Sequence, residues 1–115
     1  MSDNSNLPIK DKTIITNYIK SILEPYVKES NDLRDKILKI FSIISDSEEV
    51  CLYVHSETLK CNHNIIGYSG TLILYYRMYN FWNAIPSHAV CGERDKCMQE
   101  VIKQFITQIP EGASI

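Results

Sequence analysis

The chain has little glycine, alanine or arginine, only 4, 3 and 3 of its 115 residues, and these shortages exclude several functions at once. No Walker phosphate loop or dinucleotide fingerprint is present, and both motifs need clustered glycines so that backbone can approach a phosphate. The 12 basic residues are dispersed among 14 acidic ones, giving a net charge of −2 and no basic footprint for phosphate backbones or anionic lipid. Direct contact with nucleic acid is not expected. No Cys-x-x-Cys redox pair, internal repeat or low-complexity tract occurs.

Long apolar runs are missing as well. The most apolar stretch, Leu72 to Trp82, is interrupted by Arg77 and Asn80. It is far shorter than the ~20 residues that span a bilayer, so no membrane crossing is expected. The first thirteen residues, MSDNSNLPIKDKT, are polar and lack the basic start and apolar run of a secretory signal. There is no Asn-x-Ser/Thr glycosylation site. These features point to an intracellular setting, where four cysteines serve as thiols or metal ligands sooner than as disulfides.

With 44% hydrophobic and 23% charged positions, the composition fits one small globular domain and excludes disorder throughout. The pattern places that domain at residues 10–110, between a polar tail at 1–9 and another at 111–115. The 17 isoleucines and 9 lysines carry the bias of an AT-rich genome.

Helical spacing is clear at both ends of the domain. Ile14, Ile15, Tyr18, Ile19, Ile22 and Leu23 predict a helix starting near Asp11 or Thr13 and ending or bending at Pro25. Ser30 or Asn31 then caps a second helix with Leu33, Ile37, Ile40, Phe41 and Ile44 on one face. Its other face, with Asp32, Arg34, Asp35, Lys36 and Lys39, mixes both signs as a solvated surface does. Met98, Val101, Ile102, Phe105, Ile106 and Ile109 draw the stripe of a last amphipathic helix, stopped by Pro110 and Gly112.

The centre is less regular. Val50 to His55 alternates as a strand, and Thr58 to Asn64 reads equally as its hairpin partner or as a loop. From Ser69 to Ala84 aromatic content favours a strand and the 16-residue length favours a helix; the length is given more weight, with Ser69 as helix cap. The expected fold is therefore mainly α with a short strand or hairpin. Within it, Tyr75, Tyr76, Tyr79, Phe81 and Trp82 are assigned first to the core and second to a partner-binding surface.

Chemistry concentrates in seven possible soft-metal ligands: Cys51, His55, Cys61, His63, His88, Cys91 and Cys97. Cys61-x-His63 can aim two ligands to one side of an extended segment, and Cys91 and Cys97 flank the entry to the last helix. Together they suit a closed structural zinc site, which would add folding free energy to a small core. His88-x-x-Cys91 offers an alternative knuckle, a Cys91–Cys97 disulfide is a further arrangement, and Cys51 reads as core. The competing reading treats all these side chains as ordinary thiols and surface or core histidines. Gly67-Tyr68-Ser69-Gly70 has only part of a nucleophile elbow, with the last glycine displaced. A cysteine nucleophile with His63 or His88 as base is formally available, giving a small cysteine-dependent enzyme or redox protein as the alternative function.

Cys61, His63, Cys91 and Cys97, with the size and composition, resemble a family of small baculovirus nucleocapsid-associated proteins that carry a CCCH zinc motif. The resemblance implies a subunit of a viral capsid-base assembly linked to nuclear actin polymerisation, located in the host nucleus or virion. The expectation from the sequence is a non-enzymatic adaptor, stapled by zinc and bound to other proteins of a multi-subunit assembly.

Overall fold

The computed structural model describes residues 8–27 and 31–109, with side chains at all of these except 27 and 31–33. The expected caps and tails at Ser30, 1–7 and 110–115 lie outside the described residues. In chain order the elements are α1 (Lys12–Val27), α2 (Asn31–Asp46), β1 (Glu49–Cys61), β2 (Asn64–Met78), β3 (Phe81–Cys91) and α3 (Arg94–Gln108).

Helix α1 begins where Asp11 can cap it: its carboxylate accepts the N–H groups of Thr13 at 2.9 Å and Ile14 at 3.1 Å. Pro25 falls in the last turn, so the helix loses one backbone bond there and still reaches Val27. Ile15, Ile19 and Leu23 share the buried stripe, packed with Ile37, Ile40, Ile43 and Ile44 of α2. At the end of α2 the Lys12 ammonium donates to the carbonyls of Ser45 and Ser47, satisfying acceptors the helix leaves open.

The three strands form one antiparallel sheet in the order β1-β2-β3. Leu52, Leu72, Leu74, Ile85 and Ala89 face the helices, and α3 contributes Cys97, Val101, Ile102, Phe105 and Ile106 to the same core. The glycine at position 70 permits this approach, because a Cβ there would stand 3.2 Å from Val101 Cγ2 and 3.7 Å from Cys97 Sγ.

This is an α+β arrangement, and it corrects the expectation of a mainly α fold. The decisive segment is 69–84. It is not a helix but the second half of β2, a two-residue turn at Tyr79 and Asn80, and the start of β3. Ser69 is a buried residue within β2, not a cap. The 16-residue length misleads because the turn carries no glycine or proline to divide it. Tyr79 and Asn80 instead take φ of 54° and 68° as ordinary residues, the left-handed pair that matches strand twist in a tight hairpin. Asn62 and His63, at φ 53° and 68°, do the same between β1 and β2. The segment 58–64 is therefore the outer part of that hairpin. Ile9, assigned to the N-terminal tail, instead pairs with Leu52 through two backbone hydrogen bonds of 2.8 Å.

Candidate protein-interaction surface

Because side chains alternate along strands, the paired registers sort the sheet residues short of the irregularity at Leu59/Lys60 to one of two faces. The face opposite the helices carries, in cross-strand rows, Glu49–Arg77–Trp82, Cys51–Tyr75–Ala84, Tyr53–Ile73–Pro86, His55–Thr71–His88 and Glu57–Ser69–Val90. Among the described residues no helix packs on it. Trp82 is 53% exposed, Val90 60% and Tyr75 37%, and Cys51, Tyr53 and Ile73 are half-buried by their neighbours alone.

Charge on this face is confined to its two ends. At one end Arg77 donates from Nη2 to Glu49 at 2.9 Å, with Nε 3.3 Å from Glu48 Oε1. At the other, His55 Nε2 lies 3.4 Å from Glu57 Oε1, with the imidazole stacked on Tyr53, and His88 Nδ1 is 2.9 Å from Thr71 Oγ1. The two rows between, built from Cys51, Tyr53, Ile73, Tyr75, Ala84 and Pro86, hold no carboxylate or cation.

The apolar surface continues onto the β2–β3 turn. Tyr79 is 84% exposed and Phe81, which projects to the helix-bearing side beyond the helices, is 73% exposed. The turn is held in place: Asn80 donates its backbone N–H to Glu48 Oε1 at 3.3 Å, and Asn83 Nδ2 donates to the Phe81 carbonyl at 3.3 Å. Of the five aromatics assigned first to the core, only Tyr76 packs against it; Tyr75, Tyr79, Phe81 and Trp82 face outward. Cys51, also read as core, lies half-buried on the uncovered face.

The four residues chosen as zinc ligands fall into two separate pairs. Cys61 ends β1 and His63 occupies the hairpin turn, both exposed. Cys91 ends β3, paired with Tyr68, and Cys97 is buried in the first turn of α3 close enough to interact with Cys91. Thr58 lies opposite Tyr68, so Cys61 sits three residues further out, ~10 Å along the strand. Zinc ligands must lie within ~2.3 Å of one ion. Among the described residues no group of three or more His, Cys, Asp or Glu side chains is placed to hold a metal. The set as arranged does not fit a closed tetrahedral centre. The alternative pair also diverges, since His88 points to the uncovered face and Cys91, three residues on, to the helix side.

The Cys97 thiol is not set up as an activated nucleophile. Burial pushes the Cys97 thiol up, the neighbouring Cys91 adds to the shift, and the thiol points at the carbonyls of Ala89 at 3.3 Å and Tyr68 at 3.6 Å. An activated cysteine needs the opposite shift. Cys97 borders a cleft of about 270 Å³ between the sheet and α3, whose other walls include Arg94 and Tyr68 but no histidine. The Arg94 guanidinium lies 5.5 Å above the Tyr68 ring.

No helix among the described residues is long and apolar enough to cross a membrane. No protein-family model, curated protein or solved structure matches the chain.

Proposed function

We propose that this chain is a non-enzymatic adaptor that binds other proteins of a multi-subunit assembly through its aromatic β2–β3 turn. The observation that carries the reading is the outward placement of Tyr79 and Phe81 at a turn tied to Glu48. A monomeric soluble protein seldom exposes an apolar patch larger than a few hundred Å² without using it. Tyr79 and Phe81, of ~200 Å² each and exposed to these degrees, present roughly 300 Å².

Charge argues for a protein as the partner. Aromatics on a sheet face can also stack nucleobases, but such sites line the strand path with cations. Here the one cation on the face, Arg77, is committed to Glu48 and Glu49. The setting of a viral nucleocapsid rests solely on the resemblance carried by Cys61, His63, Cys91 and Cys97.

The test is a photo-crosslinking residue placed at Tyr79, in cells that naturally make the protein, with the same residue at the exposed Leu38 of α2 as comparison. Crosslinks to a defined partner from position 79, abolished by Phe81→Ala in a folded chain and absent from position 38, are expected. No adduct with another protein from position 79 would overturn the reading.

A further inference from the structure

We infer that the uncovered sheet face is the contact between two copies of this chain, packed face to face about a two-fold axis. The inference rests on the adaptor reading and assigns the sheet face its own occupant, leaving the turn for the partner.

Three observations select a second copy. The first is area. Three strands ~4.8 Å apart and nine residues of β2 at ~3.3 Å each give a face of roughly 14 by 30 Å. That is ~400 Å² in projection and more in accessible area once the upright Trp82 and Tyr75 side chains are included, in the range of the ~500 Å² per partner that a specific contact must reach. The second is charge. A self-complementary interface cannot place like charges over one another near the axis, and the two central rows hold none, while the paired charges sit at the ends as a polar rim.

The third is that the sheet is protected against the other mode of self-association, edge to edge. Ile9 occupies the β1 edge at Leu52. On the β3 edge Gln104 Oε1 accepts the outward N–H of His88 at 3.2 Å, and Pro86, two residues away and so of the same parity, has no N–H to offer.

Since β2 is the central strand, a two-fold axis lying between the sheets and across the strands, passing over Ile73 and Tyr75, sets β2 antiparallel over β2 and keeps Arg77 at the far end from its own copy. Ile73 and Tyr75 then meet or neighbour their own copies, and two sheets ~10 Å apart enclose a second core. Tyr79 lies in the turn and Phe81 on the helix-bearing side, so both stay exposed and the dimer presents two aromatic turns.

Sedimentation of the full chain tests this. At ~100 μM, where a Kd in the micromolar range keeps a complex formed, the wild type should sediment as twice its 13.3 kDa mass. Ile73→Asp should raise the dimer Kd more than about tenfold, because it sets like charges against each other in a desolvated contact. Val90→Asp, at a 60% exposed site that a fold defect would not reach, should weaken the dimer in the same direction, and Leu38→Asp on α2 should leave it unchanged. A monomeric wild type at this concentration, or dimers unaffected by both face substitutions, would overturn the inference. A monomer that still gives partner crosslinks from Tyr79 would fell the dimer alone; a dimer whose only adducts are with itself would fell the adaptor reading.

Discussion

Glu48 and Asn80 are joined across the sheet end: the carboxylate at the start of β1 accepts the backbone N–H of the β2–β3 turn at 3.3 Å while also pairing with Arg77. An exposed aromatic turn gains little by binding if it must first be ordered, and this tie keeps Tyr79 and Phe81 in one arrangement before a partner arrives. Glu48→Ala should therefore cost little stability, about 0.5–1 kcal/mol after solvent screening of a part-exposed pair. It should markedly accelerate amide hydrogen exchange at 79–81 and weaken partner binding. Unchanged exchange at these amides would show that the turn holds itself.

The close approach of α3 to the sheet depends on the missing side chain at position 70. A Cβ 3.2 Å from Val101 Cγ2 leaves no room without movement, and larger groups force the helix outward. Gly70→Val should destabilise the fold by about 1–3 kcal/mol, the usual cost of overpacking, and should raise the alkylation rate of the buried Cys97. Chemical denaturation with thiol labelling of the folded state reads both effects. A variant as stable as the wild type would mean that α3 shifts freely over β2.

The three helices were legible because each has one apolar stripe and one polar face, as with Ile15, Ile19 and Leu23 against Asn17 and Lys20. The sheet was legible only at Val50–His55, which falls within β1, and the reason the rest was not lies in the same surface that suggests its function. On β2, inward Leu72 and Leu74 alternate with outward Ile73 and Tyr75, so both faces are apolar and the period of two is invisible. The turn at Tyr79 and Asn80 gave no glycine signal, although Asn80 is of a type that tolerates left-handed φ. Whether the possible ligands converge was hidden in the sequence for a related reason. Nearness in sequence says nothing about side once a strand intervenes, and His88 and Cys91 emerge on opposite faces of β3.

Stability should fall at alkaline pH through buried groups whose ionised forms the core disfavours. Burial raises the Cys97 thiol above its ordinary value near 9.0, and raises the Tyr18 and Tyr76 phenols above 10.0. For each, the folded chain holds its proton to higher pH than the unfolded chain does. The contribution is fully present below the unfolded pKa and is lost as pH rises through the folded one. Denaturation midpoints should thus be insensitive to these three groups at pH 7, decline above about pH 9, and decline further above about pH 10. Cys97→Ala should remove the first part of that decline. A midpoint constant across this range would show that these side chains are reached by solvent.

His63 separates the turn from the metal site in one substitution. As a non-glycine residue at φ 68°, following Asn62 at φ 53°, it bears the strain of a left-handed position. His63→Gly creates Asn-Gly, the pair this turn type favours most, and should stabilise the chain by about 0.5–1 kcal/mol. If His63 instead ligated zinc with Cys61, Cys91 and Cys97, the same change would remove a ligand and lower stability while releasing metal. Thermal melts and metal content of wild type and variant, purified without added zinc or a histidine tag, decide between them. A higher melting temperature with no zinc lost leaves His63 as a turn residue. One zinc per wild-type chain, released on substitution together with a lower melting temperature, would require the β1–β2 hairpin to fold back toward Cys91, against the geometry described above.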